Sequence, residues 1–176
     1  MDNAPTTWNL GIDIPNILIL ATRAAKYFAD RDTEGRSGGF LRIQYLPTLE
    51  DVLLQVGLVS ADRIPRYRTN AGNKVNALIE NPGILTTFEI ADNVKIYGGG
   101  IRIPDFALIA FSGHLPQHDE AIDVIVGAYM KALAGGQLQG ETLSRFLSTP
   151  PIFGLPAEKL YNKGWAAIEA FKDLAA

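Results

Sequence analysis

The chain has 176 residues, 47% of them apolar and 20% charged, which suits one globular domain and excludes a disordered or collagen-like protein. Sixteen Lys and Arg against nineteen Asp and Glu leave a net charge of −3, too mild and of the wrong sign to draw nucleic acid or an anionic membrane over the whole surface. There is no cysteine, so a disulfide framework, a thiol nucleophile, a thiolate zinc site and a cysteine-held iron–sulfur cluster are excluded.

The first residues, Met1-Asp2-Asn3-Ala4-Pro5, lack the basic and apolar regions of a signal peptide. The apolar run Ile14–Ala21 is interrupted by Arg23 and Lys26, well short of the ~20 residues that a membrane span needs. The expectation is a soluble cytoplasmic protein with no membrane and no nucleic-acid partner.

Residues 13–31 predict the first helix. Ile14, Ile17, Leu18, Ala21, Ala24, Ala25 and Phe28 recur at helical spacing, Asp13 is a candidate cap and Pro15 suits an early position. After the break at Gly35–Gly39, the runs 40–46 and 51–59 read as a hairpin turned at Pro47-Thr48-Leu49-Glu50. Residues 66–81 predict a second helix with Ala71, Lys74, Val75, Leu78 and Ile79 on one face and Asn81-Pro82-Gly83 as its stop; Gly72 weakens it by ~1 kcal/mol relative to alanine.

The short runs 84–90, 94–97, 101–103 and 106–111 read as strands, separated by Asp92-Asn93, Gly98-Gly99-Gly100 and Pro104-Asp105. Residues 116–134 predict a third helix, with Ile122, Ile125, Val126, Tyr129, Met130 and Leu133 as its apolar stripe and acidic residues in its first turns. A last helix over about 157–174 follows a proline-rich stretch. The order predicts an α+β protein, a mainly antiparallel sheet flanked by helices. The expected division is one ligand-binding-type domain over 1–150 and a C-terminal helical extension over 151–176, packed on that domain or on a partner subunit.

The densest polar stretch is Ser112-Gly113-His114-Leu115-Pro116-Gln117-His118-Asp119-Glu120. A neutral imidazole can ligate a metal or haem iron or move a proton near neutral pH, and free amides at a helix start can hold an anionic group. Pro116 marks the helix start and leaves His114 in the loop, whereas His118, one turn before Ile122, points to the apolar face. The plainer alternative is that Ser112 and Gly113 end a strand, Asp119 and Glu120 favour the helix dipole, and the histidines are packed residues.

Gly98, Gly99 and Gly100 allow close backbone approach and invite a phosphate cradle, but no P-loop or dinucleotide pattern surrounds them, so a tight turn or bulge is the alternative. Arg63, Arg66, Arg68 and Lys74 with Tyr67 form either a local basic patch for an acidic ligand or a solvated helix entrance. Ser112, His118 and Asp119 lack the nucleophile-elbow sequence of a hydrolytic triad.

The run Gly98-Gly99-Gly100-Ile101-Arg102-Ile103, a following strand ending in Ser112-Gly113, and Asp119-Glu120-Ala121 opening a long helix together resemble the haem-binding-protein-like family that includes the GlcG and HbpS proteins and the C-terminal domain of PduO-type proteins. The resemblance covers roughly residues 66–134. Lys74-Val75-Asn76-Ala77 keeps the family's middle-helix lysine and little else, and Pro47–Glu50 stands where the family has Asp and Gly. It implies profilin-like layering, homo-oligomers and a small-molecule ligand, with haem or another tetrapyrrole first. No iron ligand carries over from the family. The expected cofactor-binding residues are His114, His118, Gly98, Gly99, Gly100, Ser112 and Asp119, with His118 or His114 on the metal only if haem iron is bound. The competing expectations are a small-substrate enzyme using His118 and Asp119 as an acid–base pair, and a purely structural oligomer-forming protein.

Overall fold

The computed structural model describes residues 10–30, 34–92 and 94–134; the expected helix over about 157–174 and the extension 151–176 lie outside them. The order of elements is α1 (Leu10–Ala29), β1 (Gly38–Tyr45), β2 (Glu50–Gly57), α2 (Ile64–Glu80), β3 (Gly100–Ile103), β4 (Ala107–Ser112) and α3 (Pro116–Leu133). The four strands form one antiparallel sheet in the order β2-β1-β4-β3, an α+β architecture.

The two-residue period of the strands sorts the core. Leu41, Ile43 and Tyr45 of β1, and Ala107, Ile109 and Phe111 of β4, pack in one cluster with Ile17, Ala21, Phe28, Ile122, Ile125 and Val126 of α1 and α3. The alternate residues Leu108 and Ala110 meet Val75 and Leu78 of α2, and Phe40 meets Tyr67 and Ala71. Thus α2 covers one face and α1 with α3 the other. Each fully buried large apolar side chain contributes about 1.5–3 kcal/mol by leaving water.

The local chemistry moves several expected boundaries. α1 starts at Leu10, so Asp13 lies in its first turn, not at its cap, and Pro15 sits inside the helix. The hairpin joins β1 to β2 with every residue from Gly38 to Tyr45 paired. Residues 84–90 and 94–97 are not strands of the sheet. Thr86 forms an isolated bridge to Ile101, and Thr87–Glu89 is a 3-10 turn closed by a capping box between Thr86 and Glu89. That reciprocal pairing satisfies locally the amides that a strand ladder would otherwise use.

Two side chains lock α2. The Arg102 guanidinium donates to the carbonyls of Leu78 and Ile84 at the end of the helix, where positive charge is favoured. Arg42 grips Asp51 through two bonds, 3.1 and 2.7 Å, and donates to Gly72 O and Asn76 Oδ1. No helix among the described residues is long and apolar enough to cross a membrane.

Candidate functional site at the entrance of the third helix

β4 ends at Ser112 and the chain turns into α3 at Pro116, whose missing amide costs nothing at a first helical position. The carbonyl of Leu115 accepts from the amides of His118 and Asp119, both at 2.9 Å. One turn in, Asp119 reaches backwards: Oδ1 accepts the His114 amide at 2.9 Å, and Oδ2 accepts Lys74 Nζ at 2.8 Å. Lys74 Nζ also donates to Phe111 O at 2.6 Å. One ammonium therefore ties α2 to the end of β4 and the first turn of α3.

The group is dry. Lys74 is 1% exposed, Asp119 3%, Glu120 7% and Asp123 0%. Glu120 Oε2 accepts the Thr86 hydroxyl at 2.6 Å, drawing the capping-box segment onto α3. Neither oxygen of Asp123 closes a well-formed hydrogen bond; the charge of Lys74 and the Phe111 amide, the donor near it, favour its ionised form without overcoming burial.

Lys74, with Arg36 adding to the pull on Asp119, still leaves the three carboxyl groups short of positive charge. Burial, the largest cause in each case, pushes Asp119 up to about 6 and Glu120 up to about 7, against the pull of Lys74 on both and of the Thr86 hydroxyl on Glu120. Asp123 is raised well above the ordinary carboxylate range by burial, with the neighbouring Asp119 and Glu120 adding to the shift. Near neutral pH this junction holds protons on carboxyl groups, an arrangement that can donate as well as accept.

The glycine triplet does meet the helix entrance, by contact. Gly99 has φ +102°, and a Cβ there would lie 2.6 Å from Pro116 O and 2.9 Å from Asp119 Cβ, so only glycine suits both the backbone and the packing. A Cβ on Gly98 would strike the Phe88 ring, and one on Gly100 would press on Lys74 Cβ and Thr87. The Gly100 amide donates to Thr87 Oγ1 at 2.9 Å, and that hydroxyl donates to Tyr97 O at 2.9 Å. The triplet thus joins the loop to the helix entrance.

The two imidazoles face different neighbours. His118 stacks on Phe28 of α1, ring centroids 4.8 Å apart at 21°, and His114 stacks on Phe111, 5.7 Å apart at 18°. Both are buried, so iron ligation by either ring requires it to leave or share its phenylalanine contact. Both oxygens of Asp119 are held by Lys74 and the His114 amide, while the His118 ring lies against α1. Ser112, also buried, ends β4 opposite Phe40. Among the described residues no group of three or more His, Asp or Glu side chains is arranged to hold a metal ion.

Lys74 does not share a solvated patch with the arginines: Arg66 and Arg68 are exposed, Arg63 is half-buried, and Lys74 is inside. Its signal in the sequence was the apolar register it keeps with Ala71, Val75 and Leu78. Asp123, between Ile122 and Ile125 on the buried helix, carried the same signal, whereas nothing local marks Thr86 as the partner of Glu120. Comparison of the chain with protein-family models, characterised proteins and solved structures returns no match.

Proposed function

We propose that this chain is a small-molecule-binding or accessory domain whose ligand is met at the junction of α2, β4 and α3. The observation that carries the reading is Asp123, a fully buried carboxyl group that closes no well-formed hydrogen bond and has only the Phe111 amide near it as a donor, beside a lysine already shared by Phe111 and Asp119. Stability alone does not favour such a set, because well-packed apolar replacements of buried ion pairs are often neutral or stabilising. Buried carboxyl groups with raised pKa values gather where sites operate. The ligand chemistry this favours is a small molecule that offers hydrogen-bond donors or a positive charge.

The resemblance to the haem-binding-protein-like family supports the same class of function and makes haem the first cofactor to test, with His118 or His114 as iron ligand. A second reading, acid–base chemistry on a small substrate, is favoured by Glu120, whose pKa of about 7 suits proton transfer near neutral pH better than an ordinary carboxylate. In that reading Glu120 takes the part first expected of the His118–Asp119 pair.

The test is thermal unfolding with a panel of small ammonium, guanidinium and polyhydroxyl compounds, and hemin, on the wild type and on Asp123→Asn. The reading expects a saturable rise in Tm with at least one compound, reduced in Asp123→Asn; for hemin, a saturable Soret change should weaken in His118→Ala or His114→Ala. A panel with no response, or one unchanged by Asp123→Asn, overturns the site.

A further inference from the structure

The two edges of the sheet are finished differently. β3 is covered: Ile101 bridges to Thr86, and the Arg102 amide donates to Leu85 O at 2.8 Å. β2 is the other edge, and among the described elements nothing pairs with its outer side. It is eight residues long, runs without a bulge against β1, and contains no Lys, Arg or Pro; its two charges, Glu50 and Asp51, stand together at its start and leave the rest of the strand without the charged residues or prolines that usually protect an open edge from pairing.

Apolar exposure is concentrated along this same edge. Among the described residues six large hydrophobic side chains are exposed, and three of them, Leu49 (72%), Leu53 (40%) and Leu58 (81%), belong to β2 or the residues flanking it. Leu53 lies on the α2 side of the sheet, in alternation with Asp51 and Gln55, where the surface of β2 is open.

We propose that β2 is an interface between two copies of this chain, joined edge to edge as antiparallel strands about a two-fold axis at Leu53. A two-fold axis normal to the sheet keeps each residue on its own face, so Leu53 meets Leu53 of the second copy and Val52 faces Leu54. In that register Asp51 faces Gln55 of the second copy, Glu50 faces Val56, and Leu49 faces Gly57 at each end. No carboxylate is placed opposite a carboxylate. Asp51 is already neutralised within its own chain by Arg42 at 2.7 Å, and Glu50 accepts the Thr48 hydroxyl. The charge pattern therefore does not oppose pairing with a second copy, and the contact is isologous and closes at two copies. This inference is independent of the ligand site, which lies beyond β1, where β4 runs into α3.

Sedimentation equilibrium of the full chain tests it. The wild type should sediment at twice the chain mass and dissociate on dilution, and Leu53→Lys, which sets two ammonium groups together on the axis, should weaken the dimer at least about 10-fold. Val94→Lys, at an exposed position on another segment (75%), should leave the dimer unchanged. Should Leu53→Lys fail to fold, hydrogen exchange of the wild type supplies the readout: β2 amides should gain protection as protein concentration rises. A wild-type monomer at all concentrations, an open-ended series of larger species, a dimer indifferent to Leu53→Lys, or β2 exchange independent of concentration overturns the proposal.

Discussion

α3 passes through two interiors. Its first turns set Asp119, Glu120 and Asp123 against Lys74, and on its other side Ile122, Ile125, Val126 and Met130 join α1 in the apolar layer. Both regions are closed to water, yet they stabilise by opposite rules. The apolar layer contributes in proportion to the area it hides; the polar junction costs free energy unless every charge and lone pair is matched, and Asp123 is not. What separates a packing core from a candidate site is the unmatched group, since burial is the same in both.

The sharpest way to break this contrast is to remove the cation. Lys74→Met should destabilise the fold by about 3–5 kcal/mol in urea unfolding at pH 7, because Asp119 keeps its burial and loses its partner. Ile122→Ala, in the apolar layer, should cost about 2–5 kcal/mol by leaving a cavity, and that loss should be the same at pH 5 and pH 8. Equal pH dependence in the two variants would erase the distinction between the regions.

The pH dependence of the wild type sharpens the comparison further. Glu120 binds its proton more tightly folded, at about 7, than at its ordinary 4.5, so the folded state holds more protons across that interval. Stability from this group is therefore complete below about pH 4.5 and falls as pH rises to about 7, by roughly 1–3 kcal/mol. Glu120→Gln should flatten that slope, measured as ΔG of unfolding between pH 4.5 and 7.5. The smallest expected effect is Asp123→Asn, within about 1 kcal/mol at pH 5, where the native group already carries its proton. At higher pH the variant should become relatively more stable than the wild type.

Much of the fold was legible in the chain because its signals are local. The apolar spacing of Ile17, Ala21, Ala24 and Phe28, the hairpin around Pro47–Glu50, and Pro116 ahead of Ile122 and Ile125 each mark an element without reference to the rest of the molecule. Residues 84–90 misled because Leu85, Thr86, Thr87 and Phe88 have strand-like side chains, while the Thr86–Glu89 capping box closes a short turn instead. The site was half legible. His114 and Asp119 stand together in sequence and in space, but Lys74 comes from 45 residues earlier than its partner Asp119, and a lysine beside arginines reads as surface. Its place on the apolar face of α2 was the contrary signal. The glycine triplet and the entrance of α3 do converge, though through direct packing of Gly99 on Pro116 and Asp119.

The most direct measurement of the polar junction is a carboxyl-carbon NMR titration of the wild type from pH 3 to pH 9. Glu120 should titrate near 7 and Asp119 near 6, with Asp123 well above the ordinary range. If all three titrate together near pH 4, the groups are solvated, and the buried, proton-holding junction on which the proposed site rests does not exist.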